Sequence, residues 1–458
     1  MKVAALCAVI YSMAFSLVCF FAINGKQDCS LKQDDSKSYN KIYAILAAIF
    51  IVQLALTRIS IGYVSDTYNF VWWTSFGEKY HIWQYYTTDV YVDYPPAYLN
   101  VLFIIGKIAH LFGVGSESDI YLCFVRFVPI LFDLLCSIFI FRFAKGRTGG
   151  KIAVALALFS ALNPVNILNS TVWGQVDSVV VMLVCGLLLF LYRKKYALAT
   201  AVFTLAFLTK PQLIIYAPLF GFTVSADFFE VVKNREERTK MLKNVGLGIL
   251  LGLAVILIVP IAVTGGNYAL LAEKYKNALA LYPYATLCAP NLYGAFGANW
   301  ANDSEVFFFF TYKVWGFIFI VVMSLLTGFV IFKSKDRTKI FYSGAFNVLT
   351  IFMFAHGMHE RYIHALFMIL LMLFVLKKDM RVLAIYLLFS VSSFINCTQT
   401  LIKTQENSFI YGNNPLFIVN SWFNILIYIF TIYVFITSLF GRKAQKASNN
   451  DAAEEKER

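Results

Sequence analysis

Charged residues are scarce in this sequence of 458 residues. Asp, Glu, Lys and Arg together make up 14% of the chain, whereas hydrophobic residues make up 59% and phenylalanine alone occupies 45 positions. A soluble protein needs more charge than this to cover its surface, so the composition excludes a soluble fold. It is typical of a protein that crosses a membrane several times.

Three further absences narrow the class. Regularly spaced segments with period-2 alternation are missing, which sets aside a transmembrane β-barrel. The eight cysteines include no Cys-x-x-Cys pair and lie mostly in apolar stretches, so neither a disulfide framework nor a zinc site is predicted. No internal repeat or second domain is visible. The sequence therefore predicts one all-α domain, a bundle of transmembrane helices.

Apolar stretches long enough to cross a bilayer of roughly 30 Å recur along the chain and predict about 11 to 13 crossings. Pro211 divides one stretch into two helices or kinks a single broken helix. Residues 97–113 are short and amphipathic at their edges, so we interpret them as re-entrant or interfacial. The domain covers 1–440, and the polar tail 441–458 is predicted to be disordered. The fullest assignment places spans at 3–23, 43–62, 121–143, 152–170, 176–193, 196–209, 211–223, 245–264, 305–332, 340–357, 361–376, 380–397 and 415–440.

The basic residues predict the orientation. Seven segments that this assignment places on one side hold 28 of the 39 Lys and Arg residues, and cytoplasmic loops carry such an excess. The C-terminal tail is then cytoplasmic, and the first helix is retained with the N-terminus outside. The net charge of +13 indicates contact with anionic membrane lipid rather than with nucleic acid.

The same topology places several polar segments on the outer face of the membrane. Long loops on a rigid bundle are common carriers of function, and loop 265–304 is a candidate lid or acceptor platform. The other outer segments are loop 63–96, Asn163 to Asp177, Lys210-Pro211-Gln212, and His356 to Arg361.

Asp66 is the strongest catalytic candidate, at the head of loop 63–96 and just past an apolar helix. Ionisable groups at membrane depth tend to be functional, although Asp is also common as a helix cap. The loop contains two more carboxylates, Asp89 and Asp93. Its tryptophans and tyrosines suit either sugar stacking or the membrane interface.

Residues 163–178 predict a polar turn between two helices. Asn163-Pro164 ends the first helix, and Asp177 can either cap the second helix or bind substrate. Capping does not explain Trp173-Gly174-Gln175, where an aromatic ring, a glycine and an amide suit a ligand rich in hydroxyl groups.

Two cations are candidates for phosphate binding. Lys210 lies deep in an apolar stretch and needs a protein carboxylate or a phosphate as its partner. Arg361 can bind a phosphate through two hydrogen bonds, with His359 donating beside it. The alternatives are a surface ion pair between Arg361 and a carboxylate such as Glu360, or a metal site built from His356, His359 and Glu360.

These motifs together resemble the bacterial membrane mannosyltransferases related to the second mannosyltransferase of GPI-anchor synthesis, in the GT-C superfamily of polyprenyl-phosphate-sugar-dependent glycosyltransferases. The resemblance extends over most of residues 43–400, and no acidic pair accompanies the first carboxylate as it does in several branches. It rests on Asp66, Tyr94-Pro95-Pro96, Asn163-Pro164, Trp173-Gly174-Gln175-Val176-Asp177, Lys210-Pro211-Gln212 and His359-Glu360-Arg361-Tyr362.

The resemblance implies a function and a set of roles. Asp66 is expected to act as the base of an inverting transfer that needs no metal or other cofactor, with mannose as the expected sugar. The acceptor is a glycan, a lipid or a protein, and the site faces outward from a bacterial plasma membrane. A flippase or transporter for a lipid-linked glycan, or a ligase that transfers a whole glycan, are the alternatives. The expected donor-phosphate ligands are Lys210, Arg361 and His359, and the expected sugar or acceptor ligands are Tyr94, Trp173, Gln175, Asp177 and Glu360.

Overall fold

A computed structural model of the protein describes Phe15 and residues 39–87, 91–406, 412 and 414–441. In this part of the chain the fold is a bundle of helices with only four strands, each of two residues, which confirms the all-α prediction. Seven helical stretches are long and apolar enough to cross a membrane, and six shorter apolar helices accompany them. Two of the seven, Gly150–Trp173 and Pro211–Val231, join consecutive helical elements. Asp89, the tail beyond 441 and, apart from Phe15, the span expected at 3–23 lie outside the described residues.

The helices are numbered here in chain order. They are α1 (Lys41–Leu56), α2 (Val64–Ser75), α3 (Pro96–Leu111), α4 (Tyr121–Thr148), α5 (Gly150–Ala161), α6 (Pro164–Asn166), α7 (Asp177–Tyr192), α8 (Tyr196–Thr209), α9 (Ala217–Val231), α10 (Arg235–Thr264), α11 (Tyr268–Ala280), α12 (Leu292–Ala295), α13 (Tyr312–Lys333), α14 (Lys339–Phe354), α15 (Ala365–Lys377), α16 (Met380–Gln405) and α17 (Pro415–Phe440). The strands are β1 (Thr286–Leu287), β2 (Val306–Phe307), β3 (Phe310–Thr311) and β4 (Met358–His359).

Two segments expected to be loops are largely helical. The outer loop 63–96 contains α2, so Asp66 lies in the first turn of a helix and not at the head of a loop. Helix α10 begins at Arg235 rather than at 245, because the Asn234 side chain accepts hydrogen bonds from the first backbone N–H groups of the helix. The basic loop expected between 226 and 244 is thereby reduced to the connection between α9 and α10.

The end of α1 and the start of α4 lie at the same end of the bundle, so the chain between them makes an excursion that starts and finishes there. Helices α1 and α4 are antiparallel, since Tyr43 packs on Phe141 while Thr57 contacts Cys123. Helix α3 lies within this excursion, where Asn100 donates a hydrogen bond to the Val259 carbonyl near the end of α10. An excursion with both ends on one side is consistent with a re-entrant or interfacial segment at 97–113.

The two ends of the bundle differ in charge. At one end, which we call the basic end, Arg337 binds both carboxylate oxygens of Asp227, with its Nη1 to Oδ1 at 2.7 Å and its Nη2 to Oδ2 at 2.9 Å. It also donates to the Tyr192 and Leu191 carbonyls. The start of α2 and the residues before α15 lie at the opposite end, which we call the site end.

Helix α15 lies at the centre of the bundle. Its residues from Ala365 to Val375 are all buried, as expected for a helix that is apolar on every side. The short segment 355–364 that leads into it is therefore held in the middle of the site end, surrounded by the ends of other helices. The fold thus places His359, Glu360 and Arg361 at the centre of the polar region.

Candidate functional site

Asp66 is held through one carboxylate oxygen. Its Oδ2 atom accepts hydrogen bonds from Trp173 Nε1 at 2.9 Å and from Gln175 Nε2 at 2.6 Å. Among the described residues no group donates to Oδ1, and the side chain keeps 25% of its exposure. One oxygen is therefore fixed in orientation while the other remains able to accept a proton.

The segment that supplies Trp173 and Gln175 is helical and not the expected polar turn. Pro164 starts a new helix after Ala161, because proline fits the first helical position, where no backbone N–H is needed. This helix continues as a π-helix, Ile167–Trp173, a form often found at functional sites. The turn is confined to the next residues, where Gly174 adopts a φ of +83° that favours glycine.

Arg126 is a buried positioning residue that our sequence reasoning did not select. Its guanidinium donates to the carbonyls of Thr57, Ser60 and Ile61 at 2.6, 2.8 and 2.9 Å and to that of Thr171 at 3.2 Å. It thereby joins the chain that enters α2 to the π-helix, and so fixes Asp66 relative to Trp173. An arginine within an apolar helix is the signal that could have identified it.

Trp173 is buried between other members of the site, and its expected role as a sugar or acceptor ligand stays a prediction. The residue is only 1% exposed, and its ring stacks on Tyr63 with 5.3 Å between ring centroids. The Arg361 guanidinium lies 5.2 Å from the centroid of the same ring. Trp173 therefore positions Asp66 and Arg361, and Tyr63 is a second supporting residue that our sequence reasoning missed.

Arg361 lies among three carboxylates. Its Nη1 binds Glu360 Oε1 at 2.7 Å, while Nη2 is 3.8 Å from Asp66 Oδ2 and Nε is 3.7 Å from Asp177 Oδ2. Both Arg361 Nε and Asp177 Oδ2 are buried without a hydrogen-bond partner among the described residues. The alternative of a surface ion pair is wrong, because the pair with Glu360 is part of a buried cluster that retains unused donors.

Lys210 forms a buried ion pair with Asp177, and its ammonium group lies 4.9 Å from the centroid of the Tyr362 ring. Asp177 makes no capping hydrogen bond, so the interpretation of Asp177 as a helix cap is wrong. Helix α8 ends at Thr209, because Pro211 lacks the backbone N–H that a continuing helix needs. Lys210 is extended, a 3-10 helix begins at Pro211, and the lysine side chain lies in the cluster.

Removing the Lys210 charge is expected to destabilise the protein strongly. Lys210→Met leaves the buried Asp177 with Arg361, whose Nε lies 3.7 Å from Oδ2, as its one remaining ion-pair partner among the described residues. This loss should cost about 3–5 kcal/mol of unfolding free energy. Thermal unfolding in lipid nanodiscs measures the effect. Lys194→Met is the matched control, because Lys194 pairs with Glu230 in an exposed bridge at the basic end. The expectation fails if the two variants melt at the same temperature.

His359 is brought to the border of the cluster. Its ring packs against Tyr282 with 4.8 Å between centroids and against Tyr362 with 5.0 Å. Burial lowers the pKa of His359 well below its usual value, and the positive charges of Arg361 and Lys210 lower it further. The imidazole is neutral at pH 7, so it can donate one hydrogen bond there but brings no charge.

This low pKa predicts a pH dependence of stability. In the unfolded chain His359 binds a proton near pH 6.5, whereas in the folded protein it stays neutral. The unfolded state therefore gains more protons below that pH, and stability falls as the pH decreases. We expect the melting temperature of His359→Gln to fall less between pH 7.5 and 5 than that of the wild type. Equal slopes for the two proteins would contradict the assignment.

The metal alternative at His356, His359 and Glu360 gains no support. The His356 ring lies beside Asp303, with 3.4 Å between Nδ1 and Oδ2, and Glu360 is bound to Arg361. In the part of the chain that the structure describes, no group of three His, Cys, Asp or Glu side chains is arranged to hold a metal ion.

Tyr94 lies at another border of the site. Its ring packs against Phe70 and Trp73 of α2, with centroid separations of 5.3 and 5.2 Å. Burial raises the pKa of its hydroxyl group, with a further contribution from the Asp177 carboxylate. Tyr94 is therefore held against α2, the helix that carries Asp66, and its role as a sugar ligand stays a prediction.

The segment expected as the outer loop 265–304 supports the centre of the site. Strand β1 pairs in parallel with β4, with Leu287 opposite His359, and the Gly357 N–H donates to the Tyr284 carbonyl at 2.8 Å. The segment is not one loop, because it contains α11 and α12. The segment therefore contacts residues 357–359 beside the cluster, and its use as a lid or an acceptor platform stays a prediction.

The structure thus brings four of the predicted outer segments together at the site end. They are residues 63–96, 163–177, 210–212 and 356–361. The residues that form the central cluster are Asp66, Trp173, Gln175, Asp177, Lys210, Glu360 and Arg361, with Tyr94 and His359 at its border. Asp93 is a further carboxylate nearby, whose Oδ2 accepts from the Tyr91 hydroxyl at 2.9 Å. Burial raises its pKa.

Comparison with known proteins gives one finding about this arrangement. Residues 95–264 match the model of a protein family described as dolichyl-phosphate-mannose-protein mannosyltransferase. The matched stretch contains Trp173, Gln175, Asp177 and Lys210, whereas Asp66 and Arg361 lie outside it. A search of curated proteins found no match.

Proposed function

We propose that this protein is a membrane glycosyltransferase that moves a hexose from a polyprenyl-phosphate donor to a hydroxyl group of an acceptor. The observation that carries the proposal is the juxtaposition of Asp66 with Arg361, whose nearest side-chain atoms lie 3.8 Å apart. A carboxylate with one unoccupied oxygen and a cation with unused donors supply the two groups that the transfer needs, a proton acceptor and a ligand for the leaving phosphate. The family match over residues 95–264 supports the same class and favours mannose as the sugar.

Asp66 serves as the general base in this proposal. The Oδ1 atom of Asp66 takes the proton of the acceptor hydroxyl group while the oxygen of that hydroxyl group attacks the anomeric carbon of the sugar. The bond from the anomeric carbon to the phosphate oxygen breaks, and polyprenyl phosphate leaves from the opposite face. A single displacement inverts the configuration at the anomeric carbon and needs only one base.

Arg361 and Lys210 stabilise the departing phosphate. Negative charge accumulates on the leaving oxygen, and buried cations aimed at that position lower the barrier. Arg361 has its Nε donor unused, and its Nη2 atom makes only a long contact with Asp66. His359 adds a neutral donor at the border, and we propose that no metal ion is required.

The charge asymmetry of the bundle supports an orientation. Segments 142–151, 193–195 and 377–381 carry ten Lys and Arg residues at the basic end, and such segments remain in the cytoplasm. We therefore propose that the site end faces the extracytoplasmic side of a bacterial plasma membrane and that α17 ends in the cytoplasm.

The experiment that tests this function uses the purified full-length protein in nanodiscs. It is incubated with polyprenyl-phosphate mannose, glucose or galactose and with glycan, lipid and peptide acceptors. Release of polyprenyl phosphate together with a glycosylated acceptor is expected, with the mannose donor turned over fastest. Turnover of a lipid-diphosphate glycan but of no monosaccharide donor would instead favour a ligase. Movement of a lipid-linked glycan across the bilayer without transfer would favour a flippase.

A further inference from the structure

Helix α2 presents a second surface on the side away from the catalytic cluster. Phe70 and Trp73, together with Asp66, face the bundle, and the two aromatic residues are buried. Tyr68 and Trp72 lie four residues apart on the other face, where they are 64% and 38% exposed. One helix thus carries the proposed base on one face and two exposed aromatic rings on the other.

These rings line an open groove of about 460 Å³. The groove lies between α2, the residues that follow it and the turn after α3. Asn69 offers an amide, and Glu78 and Glu117 offer carboxylates at the same surface, where Phe76 and Tyr80 add two more aromatic rings. Aromatic faces that pack on C–H groups, combined with amides and carboxylates that bind hydroxyl groups, are the chemistry that a sugar chain requires.

The charge of the groove disfavours the main alternative, a lipid headgroup. Tryptophan and tyrosine are common at membrane interfaces, so the rings alone do not distinguish a sugar from a lipid. A surface that binds anionic lipid carries clustered Lys and Arg. Here Glu78 and Glu117 outnumber Lys79, the one cation among the lining residues. The groove is therefore suited to a neutral ligand rich in hydroxyl groups.

We propose that this groove binds a saccharide chain, the distal sugars of the acceptor, while the hydroxyl group that reacts lies at Asp66. Trp72 follows Asp66 by six positions, which is about 9 Å along the helix axis, and it lies on the other face of α2. A ligand that occupies both positions must therefore be longer than one sugar. The acceptor role rests on the proposed function, whereas saccharide binding by the groove does not.

The test measures binding by the full-length protein in nanodiscs, using isothermal titration calorimetry. The probes are oligosaccharides of mannose, glucose and N-acetylglucosamine with one to four units. We expect at least one series to bind, with affinity increasing with length. Trp72→Ala should weaken binding at least about tenfold, or ~1.4 kcal/mol, Tyr68→Ala should weaken it in the same direction, and Trp72→Phe should retain part of the affinity.

Trp422→Ala is the matched control. Trp422 is 44% exposed on α17, away from the groove, so its loss should not change oligosaccharide binding. Binding is measured without a sugar donor, so a wild type that binds the oligosaccharides but transfers no sugar would contradict the proposed function and leave the groove proposal standing.

Three outcomes would overturn the proposal. The first is that no oligosaccharide of the panel binds the wild type, and the second is that Trp72→Ala and Trp422→Ala change binding equally. The third comes from nanodiscs with lipids brominated near the headgroup. If these lipids quench wild-type fluorescence more than that of Trp72→Phe, the ring contacts the membrane, and the groove is a lipid contact.

Discussion

Asp66→Asn is expected to reduce sugar transfer by about 10²–10⁴-fold, the usual contribution of a general base. The substitution preserves the shape of the side chain, and the amide oxygen can still accept the hydrogen bonds from Trp173 and Gln175. What it removes is the ability to take the proton of the acceptor hydroxyl. The loss should appear in kcat, measured as released polyprenyl phosphate, with little change in melting temperature.

Asp93→Asn is the matched control for this result. Asp93 is another carboxylate near the cluster, and its Oδ2 accepts from the Tyr91 hydroxyl. Among the described residues it has no ion-pair partner, whereas Arg361 lies 3.8 Å from Asp66. We expect this variant to keep much more activity than Asp66→Asn. If Asp66→Asn retains wild-type turnover while Asp93→Asn is inactive, Asp66 is not the base and the proton acceptor is Asp93.

Arg361→Lys is expected to lower kcat by about 10²–10³-fold, the range for losing a donor aimed at developing charge. Lysine keeps the positive charge among Asp66, Asp177 and Glu360 but lacks the planar guanidinium that contacts all three. A neutral substitution would leave three carboxylates without this cation and could prevent folding. Lysine is therefore the informative change, and single-turnover kinetics with the polyprenyl-phosphate sugar measure its effect.

Arg337→Lys at the basic end is the control. It tests whether replacing another arginine that makes several hydrogen bonds also lowers turnover. Arg337 binds Asp227 through two nitrogens and also donates to two backbone carbonyls, so its replacement should lower the melting temperature. It lies at the opposite end from the cluster, and turnover per folded molecule should stay unchanged. Equal loss of turnover in both variants would assign Arg361 a purely structural role.

The sequence predicted much of the site because its polar segments interrupt apolar stretches. Asn163 to Asp177, Lys210 and His356 to Arg361 each stand at the end of a predicted span, and the order of the spans places these ends together. Their convergence around Arg361 agrees with this expectation. The individual hydrogen-bond partners could not be predicted, because partners such as Trp173 and Asp66 are separated by more than a hundred residues.

Other features depended on contacts that leave little trace in a sequence. Tyr63 and Arg126 support the site through stacking and through bonds to backbone carbonyls. Carbonyl groups are the same in every residue, so the pattern of side chains does not reveal such partners. The helix α2 was also missed, because its aromatic and polar residues, read along the chain, are as typical of an interfacial loop as of a helix packed on one face.

The sequence by itself determined that this protein is a bundle of apolar helices with its basic residues at one end, because hydrophobicity and charge act residue by residue along the chain. Only the tertiary structure decided that Trp173 donates a hydrogen bond to Asp66, and that Asp177 binds Lys210 instead of capping a helix. The physical reason is that a buried polar group must find a partner. The packing of the whole bundle determines which partner is within reach.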